Sequence, residues 1–164
     1  MGIERVPEEG FYTFDMVEAR LVDAFQLWRR MPDGDARFGL SGRISSLWRQ
    51  YVPDVALVDA VADEPRPLRP SRGDIARMEE ATEWITRMPE RNRRLALVAI
   101  AWLATARLQS DKARIEWQKL WERLGIERPG PDGLRKRYGA TITAVANSLN
   151  SGRGSVKGLK DALR

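Results

Sequence analysis

Between Leu134 and Leu149 the apolar residues Leu134, Tyr138, Ile142, Val145 and Leu149 recur every three or four positions. That interval gathers them on one face of an α-helix, whereas a strand would scatter them over both of its faces. Trp117, Leu120, Trp121 and Leu124 repeat the pattern just upstream. The stretch Asp111 to Asn150 therefore predicts two amphipathic helices broken at Gly125, with Pro129, Gly130, Pro131 and Gly133 in the turn. Both faces need a partner to bury them, so the expected fold is all-α: a helical bundle with a C-terminal helix-turn-helix-like pair.

The rest of the chain supplies matching faces. Thr13 is placed to cap a helix carrying Val17, Leu21, Phe25 and Trp28, which stops near Met31-Pro32. Ile44, Leu47, Trp48 and Tyr51 outline a second helix, and Val55 to Ala62 a short further piece with no clean stripe. Three prolines in DEPRPLRP, residues 63–70, favour extended backbone and predict a linker. Ser71 and Asp74 then have the spacing of a capping box leading into Ile75, Met78, Ala81, Thr82 and Ile85. A further helix begins by Asn92 with Leu95, Val98, Ala99, Trp102 and Ala106 inward. The expected division is an acidic helical region over 1–62, the linker, a helical domain over 71–150 and a basic Gly/Ser tail over 151–164. That tail reads equally as a flexible arm and as a short helix, Val156 to Leu163, docked on the body or on another subunit.

Composition narrows function by exclusion. The chain has no histidine and no cysteine, which removes Ser-His-Asp and Cys-His catalysis and the common zinc sites. Neither GxxxxGK[ST] nor GxGxxG occurs. Carboxylate chemistry on a divalent cation would remain, but Glu79, Glu80 and Glu83 read as the solvated face of a helix. The expectation is a non-enzyme with no cofactor and no metal. No window holds the roughly 20 apolar residues of a membrane span, and the acidic N-terminus lacks the pattern of a signal peptide, so the expected location is the cytoplasm.

Charge suggests the partner. Residues 1–64 carry 7 basic and 12 acidic side chains, and residues 65–164 carry 21 and 11, within a total of +5. Codon bias toward arginine should load both halves alike, so the asymmetry is informative. In the basic half, Arg135, Lys136 and Arg137 open the second helix of the pair at the end a helix-turn-helix offers to the major groove and its phosphates. Arg128 in the turn and Arg94 are expected to flank them, and Arg153 and Lys157 to add phosphate affinity from the tail. Arg91, Arg93 and Arg94 oppose the dipole of their own helix, which calls for an anionic partner or a salt bridge to Glu90 or Glu83. The six tryptophans fall mostly on apolar faces and read as core rather than as base-stacking platforms.

The stretches YTFDMVEARLVDAFQLWRRMPD (12–33), RPSRGDIARMEEATEWI (69–85), ERNRRLALVAIAW (90–102) and LRKRYGATITAVANSLN (134–150) resemble a family of small uncharacterised proteins encoded in phages and prophages. The resemblance spans about three quarters of the chain. It implies an all-helical protein whose C-terminal helix-turn-helix is similar to the fourth region of sigma factors, and hence double-stranded DNA as partner. Trp121 stands where such a motif normally has a small residue, and the turn from Gly125 to Gly133 exceeds the usual three or four residues; Gly139, inside the second helix, suggests a kink or a close helix approach.

The expected function is that of a phage-type DNA-binding protein, in the first place a transcriptional regulator. Two others share the same residues: a small terminase-like packaging subunit, and a protein-binding adaptor or inhibitor that touches no nucleic acid. A homodimer, a higher homo-oligomer and a phage or host protein partner all remain open.

Overall fold

The computed structural model describes residues 11–30, 48 and 70–162, with side chains through residue 152. Its elements are α1 (Phe14–Arg30), α2 (Arg72–Glu83), a 3-10 turn (Trp84–Arg87), α3 (Glu90–Gln109), α4 (Trp117–Leu124) and α5 (Pro131–Ala162). The fold is all-α, a helical bundle, with no strand among the described residues. Of the second expected helix only Trp48 is described; Ile44, Leu47, Tyr51, the piece Val55 to Ala62 and all of the 63–70 segment but Pro70 lie outside.

The centre of the bundle is α3. Ala96 through Ala101 are buried without a break, as are Leu103, Ala104 and Thr105, so this helix is covered on nearly every side, as an apolar surface all around a helix requires. That corrects the narrower stripe read from the sequence: Leu95, Trp102 and Ala106 are only partly buried, while Leu97, Ile100 and Leu103 are fully inside. On α1, Val17, Leu21 and Phe25 are buried as the spacing predicts. This helix packs on α2, α3 and α5, so the N-terminal helix belongs to the same core as the C-terminal ones.

Local chemistry sets the helix ends. Thr13 Oγ1 accepts from the Met16 backbone N–H at 3.3 Å and opens α1. At α2 the capping box forms with Asp in its third position: Asp74 N–H donates to Ser71 Oγ at 3.1 Å, and Ser71 N–H donates to Asp74 Oδ2 at 3.0 Å. Gly125 terminates α4 at φ 62°, a left-handed value at which an L side chain is strained. Pro131 then takes the first position of α5, where its missing N–H leaves no bond unmade.

Two boundaries differ from the sequence reading. Residues 111–116 are not helical, and α4 starts at Trp117. The basic tail, read equally as a flexible arm and as a short separate helix, is helical but as a continuation of α5, which runs unbroken to Ala162. Extending an existing helix adds one hydrogen bond per ordered residue with no new nucleation cost, which offsets the poor propensity of Gly152 and Gly154. Of the tryptophans, Trp48 and Trp84 are buried, while Trp28, Trp102, Trp117 and Trp121 are half-buried. Trp48 is fully buried against Phe25, its ring centroid 5.3 Å away, and donates to Thr82 Oγ1 at 3.1 Å. Trp84 is also buried, edge-on to Tyr12 at 5.2 Å. No helix among the described residues is long and apolar enough to cross a membrane.

Candidate nucleic-acid interface

The apolar face of α5 is committed to the bundle. Leu134, Tyr138, Ile142 and Val145 are buried at 3% exposure or less, each contributing roughly 1.5–3 kcal/mol by area. This fixes the rotation of α5 about its axis and turns Arg135, Lys136 and Arg137, all exposed, away from the core within its first two turns.

A partly buried network holds α5 on its neighbours. The Tyr138 hydroxyl donates to Glu18 Oε2 at 2.7 Å, and Arg107 Nη2 donates to Glu18 Oε1 at 3.3 Å. One carboxylate on α1 thereby joins α3 to α5. Burial first, then the adjacent Glu18 carboxylate, raises the Tyr138 phenol well above its ordinary range, so it stays a neutral donor.

The basic shoulder is sparsely paired. Arg135 Nη2 lies 3.7 Å from Asp132 Oδ1, both groups largely exposed, a pairing worth little in water. The side chains of Lys136, Arg137 and Arg128 are exposed and make no ion pair or hydrogen bond among the described residues. Arg128 is exposed in the turn, three residues before the start of α5.

Arg94 does not flank that group. Arg87 Nη1 donates to Ser148 Oγ at 3.0 Å, which puts the start of α3 beside the later turns of α5, whereas Arg107 at the other end of α3 reaches the Tyr138 level. From Arg94 to Arg107 the helical rise is about 20 Å. Arg153 and Lys157 also lie far along α5, roughly 24 Å or more from Arg137 by the same rise. The seven candidates thus separate into Arg128, Arg135, Lys136 and Arg137 at one end, and Arg94, Arg153 and Lys157 toward the other.

Arg93 has a structural role that neither sequence alternative anticipated. Its Nη2 donates to the Thr86 carbonyl at 3.3 Å and the Met88 carbonyl at 3.0 Å, closing the end of the 3-10 turn. Those acceptors are main-chain groups, so no acid–base pattern could have revealed them.

The α4–α5 pair is held by Leu120, fully buried, and by Trp117 against Tyr138 with ring centroids 5.3 Å apart. Arg123 over the Trp102 ring at 5.3 Å ties α4 to α3. The connection spans residues 125–130, shorter than Gly125 to Gly133 but still longer than a three- or four-residue turn. Trp121 is half-buried, and its indole Nε1 is enclosed with no hydrogen-bond partner among the described residues. At Gly133 a Cβ would come within 2.5 Å of Pro129 Cβ, so the close approach belongs there; at Gly139 a Cβ would meet nothing within 4 Å.

Among the described residues no group of three or more carboxylates is placed to hold a metal ion. Comparison with protein-family models, with curated proteins and with solved structures finds no match to this chain.

Proposed function

We propose that this protein binds double-stranded DNA through the N-terminal shoulder of α5, as a phage-type regulator using α4 and α5 as a modified helix-turn-helix. The observation that carries the reading is the contrast within α5: Tyr138 and its apolar neighbours are locked inside, while Lys136 and Arg137, without an internal partner, project beside a helix N-terminus. Guanidinium and ammonium groups next to a positive dipole end suit a polyanion. Arg128, exposed in the long turn three residues before α5, is the added phosphate contact.

The experiment is equilibrium binding to random-sequence duplex across a salt series, for the intact protein and for Arg135→Ala/Arg137→Ala. Removing two phosphate contacts should weaken binding and flatten the log–log salt slope by roughly 1.8, at 0.9 per contact. An unchanged slope rejects the assignment.

A further inference from the structure

Beside the Tyr138 network lies an open cleft of about 600 Å³, bounded by α1, α3, the segment before α4, and α5. Its size is that of a small-molecule site. Phe14 and Trp117, both partly exposed, give it aromatic surface and pack on the buried Tyr138 ring, Phe14 edge-on at 6.1 Å and Trp117 at 5.3 Å. Arg107, Arg114 and Arg135 bring guanidiniums to it, and Asp15 and Glu18 carboxylates. Glu18 is already engaged by Arg107 and Tyr138, whereas exposed Arg114 has no partner among the described residues. Asp15 is likewise exposed and unpartnered there, so the balance comes from the whole lining: three guanidiniums against two carboxylates leave one positive charge in excess.

Gly139 is the second observation. It lines the cleft in the interior of α5, where glycine is the poorest helix former after proline. Its backbone is not left-handed and a Cβ there would touch nothing within 4 Å, so neither conformation nor packing demands glycine. What the missing side chain does is leave one wall of the cleft open.

We infer that this cleft binds a small molecule joining one planar ring system to one anionic group, with the ring against the partly exposed Phe14 and Trp117 and the anion at Arg114. Stacking on aromatic faces and a guanidinium fork are the two chemistries such a molecule requires. A nucleoside monophosphate and an aromatic carboxylate share this description. The cleft shares Arg135 with the DNA reading, whereas Arg114 and Gly139 lie outside the shoulder and test the cleft separately.

Isothermal titration of the full chain with AMP, indole-3-carboxylate, adenosine and inorganic phosphate tests it. The expected result is saturable binding of AMP or indole-3-carboxylate with Kd below about 1 mM, the tighter of the two identifying the source, and at least tenfold weaker binding of adenosine and phosphate. Gly139→Leu should obstruct the cleft from that wall and weaken binding at least tenfold while leaving helical circular dichroism intact. Arg114→Ala, an exposed change that spares the core, should weaken binding about tenfold. The inference is overturned if neither anion binds, or if both variants bind as the unmodified chain does.

Discussion

Tyr138 on α5 donates its phenolic hydrogen to Glu18 on α1 at 2.7 Å, although 120 positions of sequence separate them. With Arg107 on the other carboxylate oxygen, three helices meet on one side chain. A hydrogen bond to a charged acceptor contributes roughly 1.5–3 kcal/mol net, so Tyr138→Phe should lower unfolding free energy by about that amount in denaturant titration. Glu18→Ala should cost more than Glu18→Gln, since it leaves both Arg107 and the phenol without their acceptor. Equal losses for the two Glu18 variants would mean that the negative charge, and neither packing nor a neutral acceptor oxygen, is what the side chain contributes.

The same phenol predicts an alkaline dependence. Its folded-state pKa is raised, by burial first and the Glu18 carboxylate next, while in the unfolded chain it ionises near the ordinary value of 10.0. Stability from keeping it neutral is whole below pH 10 and declines as pH rises above it, because only the unfolded state releases the proton. Denaturation midpoints followed through that range should fall more steeply for the unmodified chain than for Tyr138→Phe. Parallel curves would rule out Tyr138 as the source.

At the start of α2 the sign reverses. The Ser71 hydroxyl, then the Ser71 backbone N–H and Arg77, hold the Asp74 carboxyl below its usual 3.8. Stability from this cap is whole above that value and is lost as pH falls through the lowered one. Asp74→Asn should remove that acid-side dependence, and Ser71→Ala should cost about 1 kcal/mol at neutral pH. Thermal melts of both variants at neutral and acid pH check this, and an unaltered acid limb in Asp74→Asn would place the dependence elsewhere.

Two glycines six positions apart on α5 predict opposite outcomes. A Cβ at Gly139 meets open space, so Gly139→Ala should stabilise by about 0.4–1 kcal/mol through lower unfolded-state entropy and better helix propensity. At Gly133 a Cβ would stand 2.5 Å from Pro129 Cβ, and Gly133→Ala should destabilise by about 1–3 kcal/mol as the turn is forced aside. Chemical denaturation of the two variants reads the signs directly. A stabilised Gly133→Ala would show that the turn gives way at no cost.

How much of this was legible in the sequence depends on the range of each interaction. The stripe from Leu134 to Val145, the stop at Gly125 and the Ser71–Asp74 cap are local, fixed by residues within a few turns of one another, and each is found as the spacing predicts. The Glu18–Arg107–Tyr138 network is not local: which acid meets which base depends on how α1 and α5 cross α3, and no periodicity encodes that crossing. Arg94 illustrates the cost. Sequence placed it with Arg135 on charge alone, whereas α3 runs antiparallel to α5 and carries it toward the opposite end. The cleft was hidden for the same reason, although Gly139 was a visible anomaly whose explanation had to wait for its neighbours.

That separation gives the proposed DNA interface an internal control. Lys136 and Arg94 are both exposed cations near the start of a helix, but helical rise sets them on the order of 15–20 Å apart. If duplex meets the α5 shoulder, Lys136→Ala should reduce the log–log salt slope by about 0.9 while Arg94→Ala leaves it unchanged, in anisotropy titrations between about 50 and 200 mM salt. Nonspecific attraction to the net positive charge would instead weaken both variants alike, since each removes one charge from the same total. Equal slopes for the two variants would therefore reject a localised interface even if the protein does bind DNA.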